Sequence, residues 1–165
     1  MYELPPPSEP ISQGDIIDGC PIFGHDATDR LETEPLRWRV RIIVLTQACD
    51  LAQEKTTRVL VGLVHSAREL VDRGILKESL IRDQIRRGLV YGWYFLPAAP
   101  PPLDVPESVV DLRDLHTVPK GILKLLITDG KRICQIQTPY REHLAQHFAA
   151  TYSRIGLPEP YGTRP

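Results

Sequence analysis

The sequence predicts a single α+β domain built around a strongly bent, mainly antiparallel, barrel-like sheet, with an inserted helical segment and a C-terminal helix. Two observations lead to this prediction. Short apolar stretches, rich in β-branched and aromatic residues and bounded by glycine, proline or charged turns, recur along the chain. Residues 66–88 and 140–155 instead carry apolar side chains at the spacing of helices.

The composition fits one globular domain and gives no strong electrostatic signal. Of the 165 residues, 42% are hydrophobic, which is enough for a core. We assign residues 14–157 to the domain, 1–13 to a proline-rich N-terminal arm and 158–165 to a C-terminal tail. Twenty basic and 21 acidic residues leave a net charge of -1, so no global field attracts nucleic acid or an anionic membrane.

The chain has no feature of a secreted or membrane protein. No apolar run approaches the ~20 residues of a membrane span, and residues 1–7 lack the basic and apolar regions of a signal peptide. We therefore expect a cytoplasmic protein without a membrane partner. Cys20, Cys49 and Cys134 are widely spaced, which is typical of reduced thiols, and we expect no cofactor.

The stretch from Arg37 to Asp50 holds the predicted centre of the sheet. Its first half alternates three arginines with apolar residues, which is the period of a strand with one solvated face. The following segment, Ile43 to Leu45, is apolar on both sides, as in a strand that enters the middle of a sheet. The strand ends in a polar segment, Thr46 to Asp50, where chemistry is most expected.

The other strands are predicted from their density of β-branched and aromatic residues. Gly14 to Ile17 opens the first strand, and the polar stretch from Gly24 to Pro35 should form a long loop at the rim of a site. Thr57 to Val64 should pair with the central strand. Further strands are predicted at 89–96, 108–112 and 131–137.

The inserted helical segment has clear boundaries. Ser66 and Glu69 have the spacing of a capping box, so a helix begins there. Gly74 is a point of interruption, and Gly88 ends the segment.

The C-terminal helix is predicted from its first residues and its apolar stripe. Thr138 is the expected N-cap, with Pro139 at the first helical position. Gly156 and Pro158 should end the helix.

Several pieces of the chain match one family in order. Gly14-Asp15-Ile16 is similar to its first strand, the Val40-Arg41 step to its Arg-Pro step, residues 108–120 to its late strand and turn, and the last helix to its terminal helix. On these pieces the chain resembles the PemK/MazF-like toxin family, whose members fold as an SH3-like barrel with appended helices and cut RNA. The resemblance implies an SH3-like barrel here, with Arg41 at a catalytic position.

Three features depart from that family. Ile42 stands where the family has a near-invariant proline, and Val64 to Ser66 stands where it has a catalytic threonine. The insertion from Ser66 to Gly88 is also larger than the family implies. A second resemblance, to an uncharacterised group of bacterial proteins, is carried by Thr-Gln-x-Cys-Asp at 46–50, Pro-Tyr-Arg-Glu-His-Leu at 139–144 and Arg-Ile-Gly-Leu-Pro at 154–158. It implies no mechanism.

The arginines of the central strand are the first candidate site. Guanidinium groups bind phosphate bidentately, and Arg37, Arg39 and Arg41 at ~7 Å spacing would suit a nucleic-acid backbone. The alternative, which we favour, is a solvated strand face. Its arginines would then pair with Asp15, Glu32 or Glu34.

Cys49 and Asp50 are the second candidate. A thiol nucleophile with a carboxylate that orients its base requires a histidine, such as His65 or His143, close by. We favour a structural interpretation, with Asp50 as an N-cap or turn former after the strand.

The histidines give weaker signals. His143 and His147 lie four residues apart in the last helix, the spacing at which two imidazoles share a metal, but the sequence fixes no third ligand. We therefore predict partly exposed helix histidines and no metal. His116, beside Arg113 and Asp114 on a turn, is a weak acid–base candidate. The basic face of residues 66–88 is expected to be solvated, with RNA or a partner protein as the alternatives.

Two functions follow, and a third stays open. We favour a non-catalytic binding or regulatory module with a protein partner, in a bacterial multi-protein system of the defence or toxin–antitoxin kind, because the barrel pattern remains while the catalytic contexts do not. The alternative is an RNA endonuclease in which Arg41 stabilises the scissile phosphate and Thr46, His65 or Ser66 assists. The third is a thiol enzyme that uses Cys49 and Asp50.

Overall fold

The computed structural model describes residues 1–24 and 36–153, which form seven strands and five α-helices. The strands are β1 (Tyr2–Glu3), β2 (Asp15–Gly24), β3 (Leu36–Val44), β4 (Arg58–Ser66), β5 (Trp93–Leu96), β6 (Ser108–Pro119) and β7 (Arg132–Ile136). The helices are α1 (Ala48–Ala52), α2 (Ala67–Asp72), α3 (Glu78–Asp83), α4 (Lys120–Thr128) and α5 (Tyr140–Tyr152), and a 3₁₀ turn covers Ile85–Arg87. None of these helices is long and apolar enough to cross a membrane.

All the strands belong to one antiparallel sheet with the order β1-β7-β2-β3-β4-β6-β5. The sheet is strongly curled. Tyr2 on one edge strand donates a hydrogen bond from its hydroxyl to the carbonyl oxygen of Pro97, which follows the other edge strand, at 2.6 Å. The α+β fold with a curled, barrel-like antiparallel sheet, an inserted helical segment and a C-terminal helix is therefore confirmed.

The central strand is buried on both faces, as its sequence predicts. Ile42 lies in the core that α4 covers, and Ile43 lies in the opposite core, under α5. Both side chains have no exposed surface. Leu123 of α4 and Leu144 of α5 are the fully buried residues that cover the two faces. Strand β3 is therefore the layer between two cores.

The inserted segment follows the predicted boundaries. The Ser66 hydroxyl accepts a hydrogen bond from the backbone N–H of Glu69 at 3.4 Å, which caps α2. Gly74 and Gly88 adopt left-handed φ values of 68° and 69°, which other residues rarely adopt, and they interrupt and end the segment. The segment packs around Trp93 and forms a third, smaller core.

Some predicted boundaries are wrong. Pro139, not Thr138, holds the N-cap position of α5, because the Thr138 hydroxyl donates to the Glu142 side chain at 2.9 Å instead of accepting from a backbone N–H. Only Trp93–Leu96 of the predicted 89–96 strand joins the sheet. The 108–112 strand runs on to Pro119 and leads into α4, which the sequence reasoning missed. Residues 25–35 and 154–165, including the predicted long loop, Gly156, Pro158 and the tail, lie outside the described residues.

Arg132 fastens the N-terminal arm to the sheet. Its guanidinium donates to the carbonyl oxygens of Pro6, Glu9 and Pro10 and forms an ion pair with Asp15 at 3.3 Å. The side chains of the pair are 3% and 0% exposed. The prediction that Asp15 pairs with an arginine of the central strand is therefore wrong. The arm also supplies β1, so it is part of the sheet.

Candidate binding cleft

A cleft opens where β3 and β4 separate. The two strands pair only through Ile42–Val44 and Val61–Leu63. The first half of β3 continues alongside β2 to Leu36, whereas the end of β4 continues alongside β6 to Ser66. Two strand edges therefore flank the cleft without pairing with each other.

The hydrogen bonds of the paired region show which backbone groups face the cleft. Leu45 donates its N–H to the carbonyl oxygen of Leu60 in β4, whereas the carbonyl of Val44 accepts from Gly14 on the opposite side. Backbone direction alternates along a strand. The N–H and C=O groups of Arg37, Arg39 and Arg41 are therefore directed towards the cleft.

The cleft has a polar wall and an apolar wall. The polar wall lines a cavity of about 370 Å³ and includes Arg39, Arg41, His65, Ser66, Glu69 and Asp104. The apolar wall lines a cavity of about 360 Å³ and includes Ile22, Trp38 and His116. Val40 and Leu63 line both cavities, so the two cavities are neighbours on either side of these residues.

Arg41 on the polar wall is already engaged by acidic residues. Its guanidinium donates to the backbone carbonyl of Asp104 at 2.8 Å and to the carboxylate of the same residue at 3.1 Å. The Asp18 carboxylate lies 3.6 Å away, in the β-bulge of β2 opposite Arg41. A phosphate would have to displace these partners. The partners expected from sequence differ: Asp15 is bonded elsewhere, and Glu32 and Glu34 lie outside the described residues.

Arg37 and Arg39 have no carboxylate partner in the part of the chain that the structure describes. Arg39 donates to the carbonyl oxygen of Gly19 at 3.2 Å, and the Arg37 guanidinium lies 5.7 Å from the ring centre of Phe23. Both residues are exposed. Arg39 lines the cleft, so its charge is available to a ligand there.

His65 and Ser66 share this cleft with Arg41, as the endonuclease alternative requires. However, the Ser66 hydroxyl caps α2 through Glu69. Burial lowers the pKa of His65, and the nearby Asp111 carboxylate only partly opposes this. The imidazole is therefore neutral at pH 7.

Thr46, Cys49 and Asp50 lie at the other end of the β3 stretch, away from the cleft. The Thr46 hydroxyl accepts a hydrogen bond from the Leu60 N–H at 2.7 Å. The exposed Cys49 thiol has Gln47 Oε1 at 3.6 Å and Asp50 Oδ1 at 3.9 Å, and no histidine is among its hydrogen-bond partners in the described residues. Gln47 is the N-cap of α1, so the prediction of Asp50 as an N-cap is wrong: Asp50 lies in the first turn.

The other candidates lie outside the polar wall. His116 contacts Asp114 at 3.0 Å, and both residues line the cavity of the apolar wall. The rings of His143 and His147 are 6.4 Å apart, and no group of three metal-ligating side chains occurs within residues 1–24 and 36–153. On the inserted segment, Arg68 pairs with its neighbour Asp72.

Comparison with known proteins adds no family. No protein-family model matches the chain, and no curated protein matches it. The resemblance to the PemK/MazF-like family stays a prediction, and function has to be argued from the geometry of the site.

Sequence reasoning missed the apolar wall. The alternating arginines predict one solvated face, and the apolar Trp38, Val40 and Ile42 predict a buried face opposite it. Trp38 is 42% exposed because β3 leaves β4 before reaching it. Asp104, in a proline-rich loop, gave no signal at all.

Proposed function

We propose that this protein is a non-catalytic binding module that takes up an extended segment of a partner protein in the cleft between β3 and β4. The observation that carries the proposal is the pair of strand edges that flank the cleft. Exposed strand edges bind extended peptides by main-chain hydrogen bonds, and alternate side chains enter pockets on either side.

The two walls define the chemistry of the partner segment. Successive side chains of a strand point to opposite faces. One set of side chains would contact Trp38, Val40 and Leu63, and the alternate set would face Arg39. A segment that alternates apolar and acidic residues fits both walls.

The polar groups of the site support binding rather than catalysis. Two carboxylates balance the charge of Arg41, and the Ser66 hydroxyl accepts a hydrogen bond from a backbone N–H group. A catalytic group needs a free proton or lone pair directed at its substrate.

We propose a bacterial multi-protein system as the setting of this module, and the neighbouring genes test this. Genes for larger partner proteins would favour a binding module, whereas a gene for an antitoxin would favour a toxin.

Fluorescence anisotropy with defined peptides tests the module. The probe is a labelled peptide that alternates glutamate with valine, and the control has the same composition in two blocks. We expect the alternating peptide to bind at least about tenfold more tightly, a difference of about 1.4 kcal/mol. Equal affinity for the two peptides would contradict strand addition.

A pair of variants at one position separates backbone from side-chain recognition. Arg39→Pro removes a cleft-facing N–H, whereas Arg39→Ala removes only the side chain. We expect Arg39→Pro to bind the alternating peptide several-fold more weakly than Arg39→Ala, with circular dichroism confirming that both variants fold. Indistinguishable affinities would argue against main-chain pairing.

An RNA endonuclease is the second candidate, because Arg41, His65 and Ser66 line the same cavity. It requires cleavage of single-stranded RNA by the purified protein and loss of cleavage in Arg41→Ala. It also requires RNA binding that weakens steeply with salt. Cleavage that depends on Arg41 would overturn the non-catalytic proposal.

A further inference from the structure

A separate cavity lies where the two edges of the curled sheet approach each other. It encloses about 290 Å³ between Met1 beside β1, the outer edge of β5, the 3₁₀ turn and α5. This volume is at the lower end of the range for small-molecule sites and is too small for a folded partner. The cavity shares no lining residue with the cleft between β3 and β4.

Four aromatic residues contribute to the wall. Trp93, Tyr94 and Phe95 come from β5, and Tyr140 comes from the start of α5. The Tyr94 hydroxyl lies 3.2 Å from His143 Nδ1 and donates to the Tyr140 carbonyl at 3.3 Å. Burial raises the pKa of Tyr94 to about 12, so its hydroxyl stays protonated and holds this wall together. Flat ligands fit between such rings.

His147 brings an unmet polar atom to the same cavity. Its side chain is 7% exposed, and its Nε2 is buried without a hydrogen-bond partner among the described residues. Burial lowers the pKa of His147 and the neighbouring His143 lowers it further, whereas the backbone groups of Trp93 and Val90 beside the ring oppose the shift. A neutral imidazole with an unpaired buried nitrogen carries a desolvation penalty that a polar ligand atom would remove.

Arg86 gives the cavity its charge. Its guanidinium lies 5.4 Å from the centre of the Phe95 ring, and it makes no ion pair in the part of the chain that the structure describes. The lining contains no aspartate or glutamate. The cavity therefore favours an anionic group near Arg86.

We propose that this cavity binds a small, flat aromatic molecule that carries an acidic group. The ring lies against Tyr94 and Tyr140, the acidic group pairs with Arg86, and a polar atom of the ligand reaches His147. This chemistry is shared by nucleoside monophosphates and aromatic carboxylates. The site is independent of the peptide cleft, so either proposal can fail without the other.

Isothermal titration calorimetry on the full chain tests the site. The probes are adenosine 5′-monophosphate, uridine 5′-monophosphate and indole-3-acetate, with adenosine, uridine and indole as their uncharged counterparts. We expect at least one acidic probe to bind at least about tenfold more tightly than its counterpart. Binding of a nucleotide alone would identify the ligand as a nucleoside monophosphate. Binding of indole-3-acetate alone would identify it as an aromatic carboxylate. If no acidic probe binds, or if charge makes no difference, the proposal is wrong.

Two arginine variants show where the probe binds. Arg86→Ala should weaken the acidic probe at least about tenfold and leave the uncharged one unchanged. Arg82→Ala, which removes an exposed arginine paired with Asp83 outside this cavity, is the matched control and should change neither. His147→Leu replaces the imidazole with an apolar side chain and should also weaken binding of the probe. Thermal melts check that each variant folds. Equal effects of Arg86→Ala and Arg82→Ala would overturn the assignment.

Discussion

The guanidinium of Arg41 is bonded twice to Asp104, at 2.8 Å to its backbone carbonyl and at 3.1 Å to its carboxylate. This contact joins the central strand to the proline-rich loop before β6, across 63 residues of sequence. Arg41, which the family resemblance places at a catalytic position, therefore links two parts of the fold.

Removing the Asp104 carboxylate should have a small effect on stability. That side chain is 81% exposed, and ion pairs of this kind contribute about 0–1 kcal/mol. Asp104→Asn should therefore lower the free energy of unfolding by less than about 1 kcal/mol, whereas Arg41→Ala also loses the bond to the carbonyl and should cost more. Urea denaturation measures both values. If both variants lowered the free energy of unfolding equally, the hydrogen bond from Arg41 to the Asp104 carbonyl would contribute nothing.

The burial of β3 was predictable because the cause is local. Ile43 to Leu45 is apolar on both faces, and a strand with two apolar faces is stable only between two cores. The capping of α2 was predictable for the same reason, since Ser66 and Glu69 are neighbours in sequence. By contrast, α4 was missed although Leu123 and Ile127 have helical spacing, because a short turn was expected after the strand.

The cleft was not predictable because its causes are distant in sequence. Where β3 leaves β4 depends on how β4 pairs with β6, and Asp104 reaches Arg41 only after the sheet has curled. A single strand's pattern of side chains contains neither fact. Three of the six predicted site residues, Arg41, His65 and Ser66, nevertheless fall in one cavity.

Breaking the buried pair between Arg132 and Asp15 should be costly. Removing one partner leaves the other charge buried and unpaired, which typically costs about 3–5 kcal/mol. Arg132→Met should therefore strongly destabilise the protein and release the N-terminal arm, because three carbonyl bonds are lost with the ion pair. Hydrogen exchange of residues 1–11 reports the release. Arg58→Ala, at an exposed arginine of β4, is the control and should leave that exchange unchanged.

Acidification should destabilise the protein through His147. Its folded-state pKa is lowered mainly by burial, so the stability that the neutral ring contributes is present above its ordinary pKa of 6.5 and is lost as the pH falls through the folded value. His65 acts in the same direction. The free energy of unfolding should therefore decline below about pH 6.5, and less steeply in His147→Leu. Parallel pH profiles for the two proteins would contradict this role.

The thiols should differ sharply in reactivity. Burial raises the pKa of Cys20 to about 11 and that of Cys134 to about 12, whereas Cys49 is exposed. In the native protein one thiol should react promptly with a disulfide reagent at pH 8, and Cys49→Ser should remove that phase. Its rate should match that of an unstructured cysteine peptide. A much faster rate would support the thiol enzyme that we place third.

Two substitutions on the same strand should separate stability from binding. Ile43 is fully buried between β2 and β4, so Ile43→Ala should cost about 2–5 kcal/mol in the free energy of unfolding. Trp38 is 42% exposed on the apolar wall, so Trp38→Ala should cost much less stability but weaken the alternating peptide by about tenfold or more. Urea denaturation and anisotropy on the same samples measure the two effects. If Trp38→Ala binds the peptide like the wild type, the apolar wall has no part in recognition. The edge of β3 would then account for all of the affinity.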